Sequence, residues 1–358
     1  MLARSAGRAL AGTAPIPRPL AECVTTAPAH PGGATGRLGA AAPTGAWWHQ
    51  APVVDAAGTL DGWTLVVGAP GGREITLTLP AASVVTGPVN GQVFVATDDG
   101  NSSAVRVVDA TAGCARTVDI AQAIARRAIA DLDGAGILVH LLDRDTRDDL
   151  GVWRIGAGGV DHERVLAPIP EATLRAAGIE QVWATALATS GDGSRLAVQS
   201  CAPENCVTRV LEFGTGSVMT VDGAQGELVG FASDRLVTMG PCPGLPCSVL
   251  AWSLENVAPS TLEEAATGAA MAPGGVLIAA VVDSDGRTRA IAIDPSTGTH
   301  RSLGFIGSGT VPAGGASASA GIETAPGTVG LLGPDGRPAL LDLDPSSSPA
   351  TRQSEVQP

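Results

Sequence analysis

The amino-acid sequence predicts an all-β protein: one ring of seven four-stranded blades, six being the alternative, with short helical inserts between blades. Three observations predict it. Short apolar or alternating runs bounded by Gly, Asp and Pro recur along the 358 residues, the pattern of strands separated by tight turns. Many of these runs are paired around a polar tip, and tips near residues 57, 100, 146, 204, 245, 285 and 335 follow one another at 43, 46, 58, 41, 40 and 50 residues. Two successive pairs, "LAVQSCAPENCVTRVLEF" (196 to 213) and "RLVTMGPCPGLPCSVLAWSL" (235 to 254), carry a cysteine on each side of the tip at the same C-x4-C spacing. Four strands in a repeat of roughly 40 to 45 residues make the blade of a β-propeller.

The elements follow in chain order. Residues 1 to 42 read as a leader and poorly ordered segment, 43 to 345 as the propeller, and 346 to 358 as a disordered tail. The paired runs are "AWWHQAPVVDAAGTLDGWTLVV", "QVFVATDDGNSSAVRVVDA", "ILVHLLDRDTRDDLGVWRI", the two cysteine hairpins, "VLIAAVVDSDGRTRAIAID" and "TVGLLGPDGRPALLDLD". Runs such as "SVMTVD" (217 to 222) and "ELVGFA" (227 to 232) supply a fourth strand and the first strand of the next blade. Helix is expected near 121 to 131, in "AQAIARRAIAD", and near 169 to 179. There Pro170 and Glu171 open a short helix, Gly178 closes it, and the insert accounts for the one long interval. The last blade shows no outer strand, so a segment before Ala46 is expected to supply it.

Composition narrows the function. A hydrophobic content of 44% allows a large core. The net charge of −13, with the basic residues all arginine and dispersed, argues against a nucleic-acid partner. With no lysine there is neither a phosphate-cradling Gly-Lys-Ser/Thr loop nor a Schiff-base lysine. No run reaches the ~18 apolar residues of a membrane helix.

The six cysteines favour disulfides over zinc, because structural zinc prefers C-x2-C spacing and no histidine lies near either C-x4-C pair. The expected bonds are Cys201 to Cys206, Cys242 to Cys247 and, by parity, Cys23 to Cys114. Such bonds persist in an oxidising compartment, so the protein is expected to be extracytoplasmic, secreted or in the cell envelope. The leader itself lacks a clear signal-peptide core.

The pieces "ATSGDGSRLAV" (188 to 198) and "LLGPDGRPALLDLDP" (331 to 345), with the turns "DPSTG" (294 to 298) and "FGTGS" (213 to 217), resemble the repeats of WD40-like and TolB-like bacterial β-propellers. The resemblance covers roughly residues 46 to 345 in form, without the Gly-His and Trp-Asp dipeptides of true WD40 repeats. It implies a scaffold, commonly extracytoplasmic, and transfers no catalytic residue.

Candidate chemistry is sparse. No serine-hydrolase elbow is present, and no two of His30, His49, His140, His162 and His300 stand at metal-ligand spacing. His140, inside "ILVHLL", reads as a core or channel-wall histidine. The densest candidate is "DRDTRDD", where Asp143, Asp145, Asp148 and Asp149 share one tip and could attract Ca²⁺, although Arg144 and Arg147 offset the charge and the EF-hand glycine and glutamate are missing. With Asp98, Asp99, Asp283, Asp285 and Asp335 these acids make the tip face the expected binding surface, and one that favours a basic partner. The function expected is therefore non-catalytic binding of a protein, peptide or envelope component by a monomer that needs no cofactor. A propeller hydrolase of the lactonase kind, dependent on a divalent metal, is the alternative.

Overall fold

The computed structural model describes residues 37 to 342 except 42–45, 70–73, 90, 121, 132–135, 157–161, 183, 222, 241–245, 256–257, 272–276, 283, 286–287, 308–321, 326–327 and 333–337. The described chain is nearly all antiparallel sheet. The first sheet holds β1 (Arg37–Ala41), β2 (Ala46–Val54), β3 (Leu60–Gly68) and β4 (Ile75–Pro80). The second holds β5 (Val84–Val89), β6 (Gln92–Asp98), β7 (Ser103–Asp109) and β8 (Cys114–Ile120). The third holds β9 (Ala123–Ala130), β10 (Gly136–Asp143), β11 (Asp149–Gly156) and β12 (His162–Leu166). A helix of six residues, α1 (Glu171–Ala176), leads to the fourth sheet, β13 (Ala184–Thr189), β14 (Arg195–Cys201), β15 (Cys206–Glu212) and β16 (Ser217–Val221).

The next sheet has seven strands: β17 (Glu227–Ala232), β18 (Arg235–Met239), β19 (Cys247–Ser253), β20 (Ser260–Met271), β21 (Leu277–Val282), β22 (Thr288–Ile293) and β23 (His300–Gly307). β20 pairs with β19 along its first half and with β21 along its second, changing partner at Ala266. The last sheet joins β24 (Ile322–Ala325), β25 (Thr328–Leu332) and β26 (Pro338–Asp342). The first strands β1, β5, β9, β13, β17 and β20 neighbour one another in that order, and β24 comes back beside β1.

Side-chain alternation explains how these sheets pack. Successive residues of a strand point to opposite faces, and here both faces are covered. Ile137, Val139 and Leu141 of β10 pack against Phe94, Val105 and Val118 of the preceding sheet. Leu138, with Ile129 and Val152, packs against Leu187, Leu196, Val198 and Leu211 of the following one. Each fully buried aliphatic side chain contributes about 1.5–3 kcal/mol. Burial on both faces is why these strands read as continuous apolar runs.

One expectation is corrected. Residues 123 to 130 are a strand and not a helix: the run "AIARRAIA" has fair helix propensity, but it fills the place of a first strand between β5 and β13 and pairs with β10. Tertiary demand overrides a weak propensity. Of the segment before Ala46, which was expected to complete the last blade, residues 1–36 and 42–45 lie outside the described residues. Residues Arg37–Ala41 pair with β2 inside the first sheet, and β24 lies beside them. The helix expected near 169 to 179 corresponds to α1. No helix among the described residues is long and apolar enough to cross a membrane.

Candidate functional site

The hairpin tips between second and third strands lie on the face that also carries the connections between sheets. Arg144 shows this directly. Its backbone N–H donates to Gln122 O, in the connection into β9, at 3.3 Å. Its guanidinium donates to Gly100 O (2.8 Å), Ala123 O (3.3 Å) and Asp98 Oδ1 (3.4 Å), tying the tip of the third sheet to that of the second.

Most of the tip acids serve their own turns. Asp99 accepts from Asn101 N (2.9 Å), Ser102 N (2.6 Å) and Ser102 Oγ (2.9 Å), and hydrogen bonds from Ser102 and Asn101 hold its carboxyl below the usual range. Asp143 accepts from the backbone of Asp145 and Thr146, both at 2.9 Å, and Asp148 from Thr146 Oγ1 at 2.8 Å. These are the local side-chain-to-backbone bonds that make Asp a turn former. Asp145 is exposed, as is Asp285. Asp283 and Asp335 lie outside the described residues.

Asp149 departs from the expectation. It is not a surface acid: its side chain is 10% exposed, and its Oδ1 faces His140 Nε2 at 2.9 Å. Gly151 N donates to Oδ1 at 2.7 Å and Ile169 N to Oδ2 at 3.0 Å. Burial pushes this carboxyl up, but the hydrogen bond and charge of His140, with those two amides, outweigh it and hold it below the ordinary value. The physical reason for the reversal is register. Leu142 pairs with Asp149, and an irregularity follows it, so Asp149 stands inside the ladder and not in the turn.

Asp149 thereby seats the insert that contains α1. From the fourth sheet, buried Arg209 donates to Ala167 O (2.7 Å) and Pro168 O (3.3 Å), gripping the same segment from the other side. Ile169, Leu174, Ala177 and Ile179 then pack on Ala202 and Val207 of the β14–β15 hairpin. Cys201 and Cys206 are directly opposite in that hairpin and are disulfide-bonded. Cys114 and Cys247 are also in disulfides, while Cys23 and Cys242 lie outside the described residues. Non-reducing peptide mapping is expected to recover Cys201 linked to Cys206. Two free thiols at those positions in protein purified without reductant would contradict the structure.

The sequence reading placed Arg126 and Arg127 in an insert, whereas both lie on β9. Arg126 is the extra residue of a bulge, because His140 pairs with Arg127 and Leu141 with Ala125. A bulge re-aims its side chain. Burial lowers the pKa of Arg126, the charge of Arg147 lowers it further, and Asp98 opposes them, so its guanidinium is within electrostatic reach of both tips. The tip face is thus of mixed charge around the second and third sheets, and less acidic there than a count of tip aspartates suggests. Among the described residues no group of three or more His, Cys, Asp or Glu could hold a metal ion.

No family model and no curated protein sequence matches the chain. Among solved structures it is similar to a puromycin hydrolase S511A mutant complexed with PGG, with a TM-score of 0.55 at 13% identity over 89% of this chain and 55% of that one. It is similar to the Dos1 propeller, with a TM-score of 0.51 at 9% identity over 87% of this chain and 93% of that one. It also matches TolB from Acinetobacter baumannii, at TM-score 0.46 and 12% identity over 75% of this chain and 64% of that one. The chain therefore spans little more than half of the hydrolase and under two thirds of that TolB. The first two likenesses carry the fold, a β-propeller, and the resemblance to TolB-like propellers read from the repeats is met at that level.

Proposed function

We propose that this β-propeller is an extracytoplasmic binding module of seven blades, with β20 serving two of them, that engages a protein or peptide through its tip face. One observation carries the reading. Loops of three successive sheets on that face are tied together, by Arg144 between the second and third and by Asp149, Arg209 and the insert between the third and fourth. Loops fixed in advance lose little entropy on binding, and recognition is commonly placed on loops held by a rigid scaffold. The disulfides fit an oxidising compartment. At the third and fourth tips exposed Asp145, Asp148 and Glu204 outnumber exposed Arg147, which favours basic segments there.

The experiment is capture of basic, neutral and acidic peptide pools by the immobilised full chain at low and physiological salt. Basic peptides are expected to be retained, less so at physiological salt, where the Debye length is about 8 Å. Asp145→Arg with Asp148→Arg should reduce retention roughly tenfold or more, equivalent to ~1.4 kcal/mol. Thr111→Arg, in the β7–β8 turn at the opposite end of the blade, should not. Retention unchanged by the tip variant moves the site elsewhere. Calcium-dependent turnover abolished by the tip variant would instead support the metal-dependent hydrolase.

A further inference from the structure

We propose that the end of the first hairpin, between β2 and β3, is an apolar anchor of the tip face that takes bulky apolar side chains of a basic peptide. The inference rests on the reading of that face as a peptide-binding surface and adds what the peptide must carry besides charge. Lower in β2 both faces of the sheet are covered: the successive residues Gln50 and Ala51 are 1% and 3% exposed. Three residues on, Val53 and Val54 again point to opposite faces, yet they are 37% and 56% exposed, and Leu60, opposite Val54 on β3, is 38% exposed. Residues 53 to 61 are exposed without a break, against four residues at each of the second and third tips and two at the fourth. β2 and β3, nine residues each, are also the longest central strands of the first four sheets. The end of this hairpin therefore stands clear of the ring.

The hairpin end is fixed by its own hydrogen bonds. Asp55 N donates to Thr59 O at 2.9 Å and Gly58 N to Asp55 O at 3.0 Å, closing the turn. Asp55 Oδ1 accepts from Ala57 N and Thr59 N, both at 2.8 Å. Lower down, Trp63 Nε1 donates to Ala81 O at 3.0 Å, beyond the end of β4. A single exposed valine is ordinary, but three of the four exposed large apolar side chains among the described residues share this one end. Held in a fixed turn, they lose little entropy when a partner covers them.

Charge selects the occupant. Asp55 and Asp61 are exposed beside the three apolar side chains, and the sequence has no arginine or histidine from residue 50 to 72. A peptide that alternates Arg or Lys with Leu, Val or Phe answers both features, covering the apolar end and meeting the two carboxylates. A second copy of the chain would set those carboxylates against their own kind, and three side chains supply little of the ~1,200–2,000 Å² that a stable interface buries. An anionic lipid surface is repelled by the same two groups.

The test compares the retention of two peptide pools of equal length and net charge by the immobilised full chain, one alternating Arg with Leu and the other Arg with Ser. The Arg-Leu pool should be held about tenfold more tightly, as burial of one or two leucine side chains provides. Val53→Thr, Val54→Thr and Leu60→Thr together keep strand propensity and should bring the Arg-Leu pool down to the level of the Arg-Ser pool. Because all three positions are exposed, the unfolding temperature of this triple variant should stay close to that of the wild type. Equal retention of the two pools by the wild type overturns this inference and leaves the peptide-binding reading standing, whereas retention of neither overturns both. A preference that survives the triple variant places the apolar contact elsewhere and overturns the inference as well. So does a dimer in sedimentation that the triple variant abolishes, since a second copy is then the occupant. The wild-type comparison decides the matter should the triple variant not fold.

Discussion

Replacing Asp149 with alanine is expected to destabilise the fold by about 3–5 kcal/mol, the usual cost of removing one partner from a buried charged or hydrogen-bonded pair. Three donors, His140 Nε2, Gly151 N and Ile169 N, lose their common acceptor at once. Urea titration measures the effect as a fall in midpoint, and Asp145→Asn, in the same hairpin but exposed, should leave the midpoint where it was. An Asp149 variant as stable as the wild type would mean that the insert is not seated as described. The pH dependence has a definite sign. The folded carboxyl titrates below its ordinary value, so its contribution is full above about pH 4 and is lost as pH falls through the depressed value. Wild type should therefore lose stability on acidification more steeply than Asp149→Asn.

Gly151→Ala should cost about 2–4 kcal/mol, the sum of an unfavourable backbone and overpacking. Gly151 has φ +81°, a conformation that side chains rarely adopt. An added Cβ would also press on Leu166 O and stand 2.9 Å from Ala167 C, both backbone atoms that cannot swing aside. Because Ala167 O is held by Arg209, the clash pushes on the joint between two sheets and is not absorbed at an edge. Thermal unfolding checks this directly. A loss below 1 kcal/mol would show that the strand next to Gly151 can yield.

These residues also show what could be read from the sequence and what could not. The hairpins were legible because tips announce themselves with Asp, Gly and Asn between apolar runs, and Cys201 and Cys206 marked one tip by their spacing. β9 was misread since an Ala-Arg run carries no β signal of its own; what makes it a strand is the pair of neighbours that flank it. Arg37–Ala41 was passed over for the same reason. Asp149 was placed in the turn because four aspartates in seven residues look alike, and only the register separates the one that points inward. The partnership of His140, Asp149 and Arg209 joins residues up to 69 positions apart, and no local pattern foretells it. His140 within "ILVHLL" was the single hint, a polar group in a run that otherwise avoids them.

β20 has a consequence for how the ring can come apart. Everywhere else in the described chain, one sheet hands over to the next through a turn or insert, a place where the backbone can hinge and one blade can loosen while its neighbour stays closed. Where the pairing passes from β19 to β21, β20 runs as one strand from Ser260 to Met271, hydrogen-bonded to β19 along its first half and to β21 along its second. The two halves of this seven-stranded sheet therefore share a spine. Amide protons of β19 and β21 should exchange with solvent in one concerted opening, and a permuted chain with its ends placed in 260 to 271 would split two blades where a cut at any other junction would spare both.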